Sequence, residues 1–285
     1  MKSIQVILAL FLLTQLAGLW VGVTMVNASL TTPEIAELNV SPAGDSGSIL
    51  NSAIFLGYIL VGAVAIVLIL KFYKGDMLFR LIEAMTLFVA SSIVFYVILL
   101  YFEVPLAILF AGLASATVTA VKFFTRKMKN AAAVLASMGV GAVFGFSLDM
   151  LPASLFVIGL AVYDFVAVYL TGHMVYMAKE LGKRKLAFSV SATESVYSEE
   201  KKKEEKSTLE LGTGDMAIPL MLAVSAYKFS YNVMDSLAIT FGALLGLVFV
   251  LEYVTRKRTF MPALPPIIFG ALACFAIAKT LITGW

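Results

Sequence analysis

Long apolar runs, separated by short polar segments, dominate this chain. Most approach the roughly 20 residues that an α-helix needs to cross about 30 Å of hydrocarbon. They lack the alternation of apolar and polar residues that is typical of a membrane β-barrel. The pattern therefore predicts an all-α polytopic membrane protein with about nine transmembrane helices. The predicted spans are residues 4–26, 49–70, 81–101, 105–124, 131–148, 153–172, 209–228, 236–255 and 263–284.

The first apolar run has a second interpretation. Lys2, the apolar stretch and the small residues that follow Val26 are also the parts of a signal peptide with its cleavage site. The run is longer than the usual apolar region of roughly 7–15 residues in a signal peptide, which favours an uncleaved first helix. Cleavage would leave the later spans unchanged.

Composition supports the membrane interpretation. Hydrophobic residues make up 61% of the chain and its mean hydropathy is +0.96, whereas soluble domains contain roughly 45–50% apolar residues. We therefore expect an integral, multi-pass protein surrounded by the lipid bilayer, in the cell membrane if the source is prokaryotic. The net charge of +3 gives no reason to expect nucleic acid as a partner.

Basic residues mark one side of the predicted membrane topology. Nineteen of the 21 Lys and Arg residues fall in alternate loops, and only Lys228 and Lys279 lie on the other side. By the positive-inside rule, this distribution predicts a cytoplasmic amino terminus and, with nine spans, an external carboxyl terminus.

One long polar segment divides the chain. The sequence around EKKKEEK is highly charged and contains few apolar residues, a composition typical of a flexible linker. We therefore predict three parts: residues 1–178 with helices 1 to 6, residues 179–208 as a flexible cytoplasmic loop, and residues 209–285 with helices 7 to 9.

Two aspartates lie inside predicted spans on either side of this loop. Asp164 lies roughly 12 Å from the end of the sixth span and Asp215 roughly 9 Å from the start of the seventh, at about 1.5 Å per residue. Ionisable residues are costly in hydrocarbon and indicate a functional site. The other acidic residues near the spans are predicted at helix ends or in loops. These are Glu83, Asp149, Glu210, Asp235 and Glu252.

The residues around Asp215 predict a weak helix. Gly212 and Gly214 leave the backbone bare, and Pro219 cannot donate the hydrogen bond that the Asp215 carbonyl would otherwise accept. Freed backbone groups at this depth require protein partners or a water-filled cavity. A hydrated intramembrane site is therefore expected.

Three short motifs carry a family resemblance. Tyr163-Asp164 in span 6, Gly212-Thr213-Gly214-Asp215 in span 7 and Pro262-Ala263-Leu264 at span 9 resemble the YD, GxGD and PAL motifs of the presenilin and signal peptide peptidase family. The order of the motifs, the number of helices and the charged loop also match that family. The chain most resembles an archaeal or other microbial single-chain homologue.

The resemblance implies an intramembrane aspartyl endopeptidase that cuts peptide bonds within transmembrane segments. It implies that Asp164 and Asp215 are catalytic and together activate a water molecule, without a metal or cofactor. The cytoplasmic amino terminus predicted from the basic residues matches the presenilin arrangement, so we expect substrates with external amino termini. Nothing in the sequence requires accessory subunits. The expected substrate-binding residues are Tyr163, Gly212, Thr213, Gly214, Pro262, Ala263 and Leu264.

Other functions remain open at this stage. The two aspartates could be ion ligands in a cation channel, a leak or a proton-coupled carrier. Zinc and serine protease chemistry lacks support, because His173 is the single histidine and neither HExxH nor GxSxG occurs. Cys274 is the single cysteine, which excludes intrachain disulfides.

Overall fold

The computed structural model is a bundle of long helices with one two-stranded sheet. It describes residues 2–73, 75–125, 128–172, 177, 189–198, 203–257 and 261–283. The nine long helices in these ranges are α1 (Lys2–Ala28), α2 (Leu50–Phe72), α3 (Met77–Tyr101), α4 (Ala107–Phe124), α5 (Lys129–Ser147), α6 (Met150–Phe165), α7 (Thr213–Ser230), α8 (Val233–Lys257) and α9 (Leu264–Ala278).

Several shorter elements complete the described fold. Helices α6 and α9 each continue into a π-helical turn, at Val166–Leu170 and Lys279–Thr283. A one-turn helix, Pro33–Ala36, follows α1. Strands β1 (Ser189–Ser198) and β2 (Lys203–Gly212) pair antiparallel, with Ser189 opposite Gly212.

The predicted membrane fold is confirmed. Eight of the nine long helices have the length and apolar composition to cross a membrane, and the exception among the described residues is α7. That helix carries Asp215 and Lys228, which lower its hydropathy. The orientation of the two termini across the membrane stays a prediction.

The segment between α6 and α7 differs from the sequence prediction. A flexible loop was expected over 179–208, but its described residues include most of a hairpin, and β2 extends to Gly212, so that α7 starts at Thr213 instead of 209. The hairpin buries Val190, Ala192 and Leu211 against the main core. The hairpin is mostly polar and has few apolar residues, so its sequence does not predict the two strands.

The amino-terminal end of α5 holds the hairpin by its backbone. Asn130 donates to the Ser191 carbonyl and accepts from the Ser191 amide, both at 2.9 Å. Lys129 forms an ion pair with Glu210 at 3.3 Å. The hairpin is therefore fixed at the point where it leads into α7.

Helix α7 is the centre of the bundle, because its residues from Met216 to Tyr227 are almost all buried. It packs along α5 through small residues of α5 at four-residue spacing. A Cβ atom added to Gly141 would lie 2.8 Å from the Ala217 carbonyl oxygen, and one added to Gly145 would lie 2.5 Å from that of Met221. Such small residues allow helix backbones to approach closely in a membrane.

Helix α1 packs against another face of α7, in the same direction. Gly18 faces Leu220 and Gly22 faces Val224. Near the end of α1, Asn27 accepts a hydrogen bond from the Tyr227 hydroxyl at 3.1 Å. Both neighbours therefore run parallel to α7 and fix its position along most of its length.

Two buried ion pairs correct the sequence analysis. Asp235, expected in a loop, lies in the first turn of α8 and pairs with Lys279 at 2.7 Å, with both side chains almost fully buried. Glu83 of α3 is also buried and pairs with Lys122 of α4. Pairing explains how these charges tolerate burial.

Candidate active site

Asp164 lies at the end of the α-helical part of α6, one residue before that part ends. Its side chain is 3% exposed. The Leu264 amide, at the start of α9, donates a hydrogen bond to Asp164 Oδ2 at 3.2 Å, and the Ala263 amide also interacts with this carboxylate. The YD and PAL motifs therefore meet at one carboxylate.

The start of α9 presents two backbone amides to Asp164. The first four amides of a helix have no partner within it, and Pro265 and Pro266 remove two of these donors. The other two, those of Ala263 and Leu264, both interact with the Asp164 carboxylate, and the next amide, that of Ile267, bonds to the Ala263 carbonyl at 3.4 Å. Each amide of this helix end thus has a partner inside the protein.

Asp215 occupies the third position of α7, directly after the strand that ends at Gly212. Its carboxylate reaches back to the backbone amide of Gly212, the residue that caps the helix. This arrangement is one half of a capping box, in which an acidic side chain three residues into a helix accepts from the cap amide. The spacing of Gly212 and Asp215 in the GxGD motif matches this requirement.

The Gly212 position leaves little space for a side chain. A Cβ atom there would lie 3.1 Å from Asp215 Oδ2, whereas a Cβ atom at Gly214 would meet nothing within 4 Å. The two glycines of the motif therefore differ: Gly212 makes room for the carboxylate, while Gly214 leaves an open surface beside it.

The two carboxylates are close enough to interact electrostatically. They lie where the end of α6 meets the amino-terminal ends of α7 and α9. Helix amino termini carry a partial positive charge and unpaired amide donors, both of which stabilise carboxylates. The arrangement can hold two acidic groups together away from bulk water.

The remaining predicted site residues lie around this pair. Tyr163 is partly exposed next to Asp164, and Thr213 is partly buried at the start of α7. Pro262 and Leu264 are buried, and Ala263 is partly buried. The structure thus brings all three motifs together, while His173 lies outside the described residues.

A cavity of about 130 Å³ lies on another side of the GxGD motif. Helices α3, α5 and α7 form its walls, which include Glu83, Ser137, Thr213 and Gly214. Most of the lining is apolar. In the part of the chain that the structure describes, no three His, Cys, Asp or Glu side chains group closely enough to hold a metal ion.

Sequence analysis missed two polar residues that contact the start of α7. Ser137 of α5 donates to the Thr213 carbonyl at 3.1 Å, and Gln15 of α1 donates to the Met216 carbonyl at 2.7 Å. A signal for Gln15 was present, because an amide side chain in the middle of an apolar span requires a partner.

Comparisons with known proteins agree with this geometry. A family model described as signal-peptide peptidase, presenilin aspartyl protease matches residues 8–284. No curated protein sequence matches the chain.

Solved structures of a presenilin family intramembrane aspartate protease are similar to this fold. The structure in space group C222 has a TM-score of 0.68 and 25% sequence identity, over 96% of this chain and 99% of that chain. The structure in space group P2 has a TM-score of 0.66 and 26% identity, over 95% and 96% of the two chains.

The family match extends over nearly the whole sequence, and the family's three motifs converge on one pair of carboxylates in a bundle of membrane-spanning helices. The chain therefore belongs to the signal-peptide peptidase and presenilin family of aspartyl proteases, and it is a multi-pass intramembrane hydrolase.

Proposed function

We propose that Asp164 and Asp215 are the catalytic pair with which this enzyme hydrolyses peptide bonds inside transmembrane segments. The observation that carries this proposal is their convergence, with Asp164 held by the Leu264 amide and Asp215 by the Gly212 amide. The same geometry gives no support to an ion channel or carrier, because the carboxylates are bound to helix ends that belong to protease motifs.

The chemistry follows from two like charges at short distance. Two carboxylates about 4 Å apart repel by roughly 4 kcal/mol at an effective dielectric constant near 20, so the pair retains one proton. The ionised carboxylate accepts a proton from water as the water oxygen attacks the scissile carbonyl carbon. The protonated partner donates to the carbonyl oxygen. The carboxyl group that took the proton from water then transfers it to the amide nitrogen as the carbon–nitrogen bond breaks, and the other carboxylate takes a proton from a hydroxyl group of the intermediate, which restores the starting state.

Removing either carboxylate should abolish cleavage. Asp164→Asn and Asp215→Asn each keep the side-chain shape but remove a group that accepts or donates the proton. We expect each variant to lose at least about 100-fold in kcat. The measurement is cleavage of a single-span substrate by purified enzyme in liposomes, with the cut mapped by mass spectrometry.

Two controls make this experiment decisive. Glu252→Gln changes an exposed carboxylate on α8 and should leave the rate unchanged. Cation flux measured in the same liposomes tests the ion-ligand alternative. Aspartate-dependent flux without peptide products, across substrates with weakened helices, would contradict the protease proposal.

The two glycines of the GxGD motif should respond differently to the same change. Gly212→Ala places a methyl group 3.1 Å from Asp215 Oδ2 and displaces the carboxylate, so we expect kcat to fall about tenfold or more. Gly214→Ala meets no protein atom within 4 Å and leaves the carboxylate in place, so its effect, through contact with substrate, should appear in KM. Steady-state kinetics of both variants would check this, and a larger loss of kcat for Gly214→Ala than for Gly212→Ala would contradict the assigned role of Gly212.

The proposed substrate conformation is an extended strand beside β2. A helical substrate hides its carbonyl groups in hydrogen bonds and must unwind before attack. Since the Ser191 backbone groups bond to Asn130, they point away from β2, and the opposite residue Glu210 must also point its backbone groups away from β1. This edge leads directly to Gly212 and Asp215. This edge of β2 is suited to pairing with an unwound substrate strand. Pro262, Ala263 and Leu264 would lie on the opposite side of that strand.

A proline at position 210 should test the strand edge. Glu210→Pro removes an amide that does not bond to β1, so the hairpin should persist while substrate pairing weakens. We expect KM to rise about fivefold or more, which corresponds to the loss of roughly 1 kcal/mol for one hydrogen bond. Glu210→Ala, which removes the ion pair with Lys129 but keeps the amide, is the control. Equal kinetics for both variants would exclude pairing through this amide.

In the proposed orientation, the amino terminus of the enzyme is cytoplasmic, and the enzyme cuts substrates whose amino termini are external. This orientation rests on the 19 basic residues in alternate loops. Paired single-span substrates of identical sequence and opposite orientation, expressed in cells with the enzyme, would test it. We expect cleavage of the substrate with its amino terminus outside, and exclusive cleavage of the opposite substrate would refute the assignment.

A further inference from the structure

Gln15 is a buried amide in the middle of α1, among residues that otherwise suit a lipid-spanning helix. Its side chain is fully buried, and its Nε2 atom donates to the Met216 carbonyl at 2.7 Å. Met216 directly follows Asp215 in α7. A side chain from the first helix thus holds the backbone next to a proposed catalytic group.

The backbone of α7 lacks an internal hydrogen bond at this point. Pro219 has no amide hydrogen to donate to the Asp215 carbonyl four residues earlier, and its ring crowds that carbonyl. The first turn of α7 is therefore less restrained by its own helix than the turns that follow. Two outside donors restrain it instead, Ser137 at the Thr213 carbonyl and Gln15 at the Met216 carbonyl.

The orientation of the Gln15 amide is fixed by this contact. Turning the amide over would place its oxygen against the Met216 oxygen, so Nε2 must face the carbonyl. The Oε1 atom is buried and accepts no hydrogen bond from the described residues. An apolar side chain of similar length would fill the same space without burying that oxygen, which argues against packing as the reason for an amide here.

We propose that Gln15 is a positioning residue for peptide-bond cleavage, which acts by holding the Met216 carbonyl and thereby the backbone that carries Asp215. This inference rests on the proposed catalytic role of Asp215. Gln15 does not touch the reacting atoms; it sets the position of the carboxylate relative to Asp164. Its loss should therefore lower the rate of the chemical step and leave substrate binding largely intact.

The test compares Gln15→Met with the wild-type enzyme. Methionine has a similar length and suits an apolar span, but it has no donor for the Met216 carbonyl. We expect kcat to fall about tenfold or more, because displacements near 1 Å can reduce rates by up to about 100-fold. KM should stay within about twofold, and the thermal unfolding temperature in detergent should be equal or higher.

Two further variants separate positioning from stability. Thr14→Val alters the adjacent buried residue, whose hydroxyl donates to the Leu10 carbonyl of its own helix at 2.8 Å, and should keep the wild-type kcat. Gln15→Asn keeps the amide but shortens the side chain by one methylene group, and should lose rate like Gln15→Met. A wild-type kcat in Gln15→Met, or a loss fully explained by an unfolded fraction, would overturn the inference.

The same kinetics distinguish this inference from the proposed function. If wild type cleaves, both Asp→Asn variants are inactive and Gln15→Met has the wild-type kcat, only the role of Gln15 is wrong. If the Asp→Asn variants retain activity, the catalytic assignment itself is wrong.

Discussion

The hydrogen bond from the Leu264 amide to Asp164 joins two groups that would each be costly alone in hydrocarbon. A helix that begins within the membrane leaves unpaired amides, and a carboxylate there lacks the donors that water would supply. At the start of α9, two prolines lack the amides that would otherwise be unpaired, and the remaining amides, those of Ala263 and Leu264, meet the carboxylate. The PAL motif therefore completes both a helix end and the environment of a proposed catalytic carboxylate.

The carboxylate at the start of α7 is also stabilised by a backbone amide at a helix end. Asp215 accepts from the amide of its own helix cap, so the GxGD motif provides the carboxylate and one of its donors within four residues. Two carbonyl groups of the same turn, those of Thr213 and Met216, receive hydrogen bonds from α5 and α1. Three neighbouring segments thus determine where Asp215 lies, and mutations distant in sequence should affect catalysis through the backbone.

The bundle and the carboxylate pair could be predicted because both depend on local patterns. Apolar runs define the spans, and Asp164 and Asp215 stand out within them. The hairpin could not be predicted in this way. Its strands are polar, and its stability depends on Asn130 and on a few apolar residues that meet the core only after the helices pack. Asp235 directly precedes the apolar run predicted to start at residue 236, which is why the sequence places it in a loop. Its partner Lys279 is distant in sequence, and only the fold reveals the pair.

Helix α7 is tightly packed along most of its length, whereas its first turn has an open face. From Met216 onward it is buried and packed against α1 and α5, so most of the helix is fixed in position. Its first turn has an open face at Gly214, a missing internal hydrogen bond at Pro219 and a strand edge immediately before it. Any rearrangement that admits substrate is therefore easiest in this turn, where restraints come from single side chains. Under the proposed mechanism, the packed helix keeps Asp215 close to Asp164, while the open face at Gly214 leaves room for an unwound substrate.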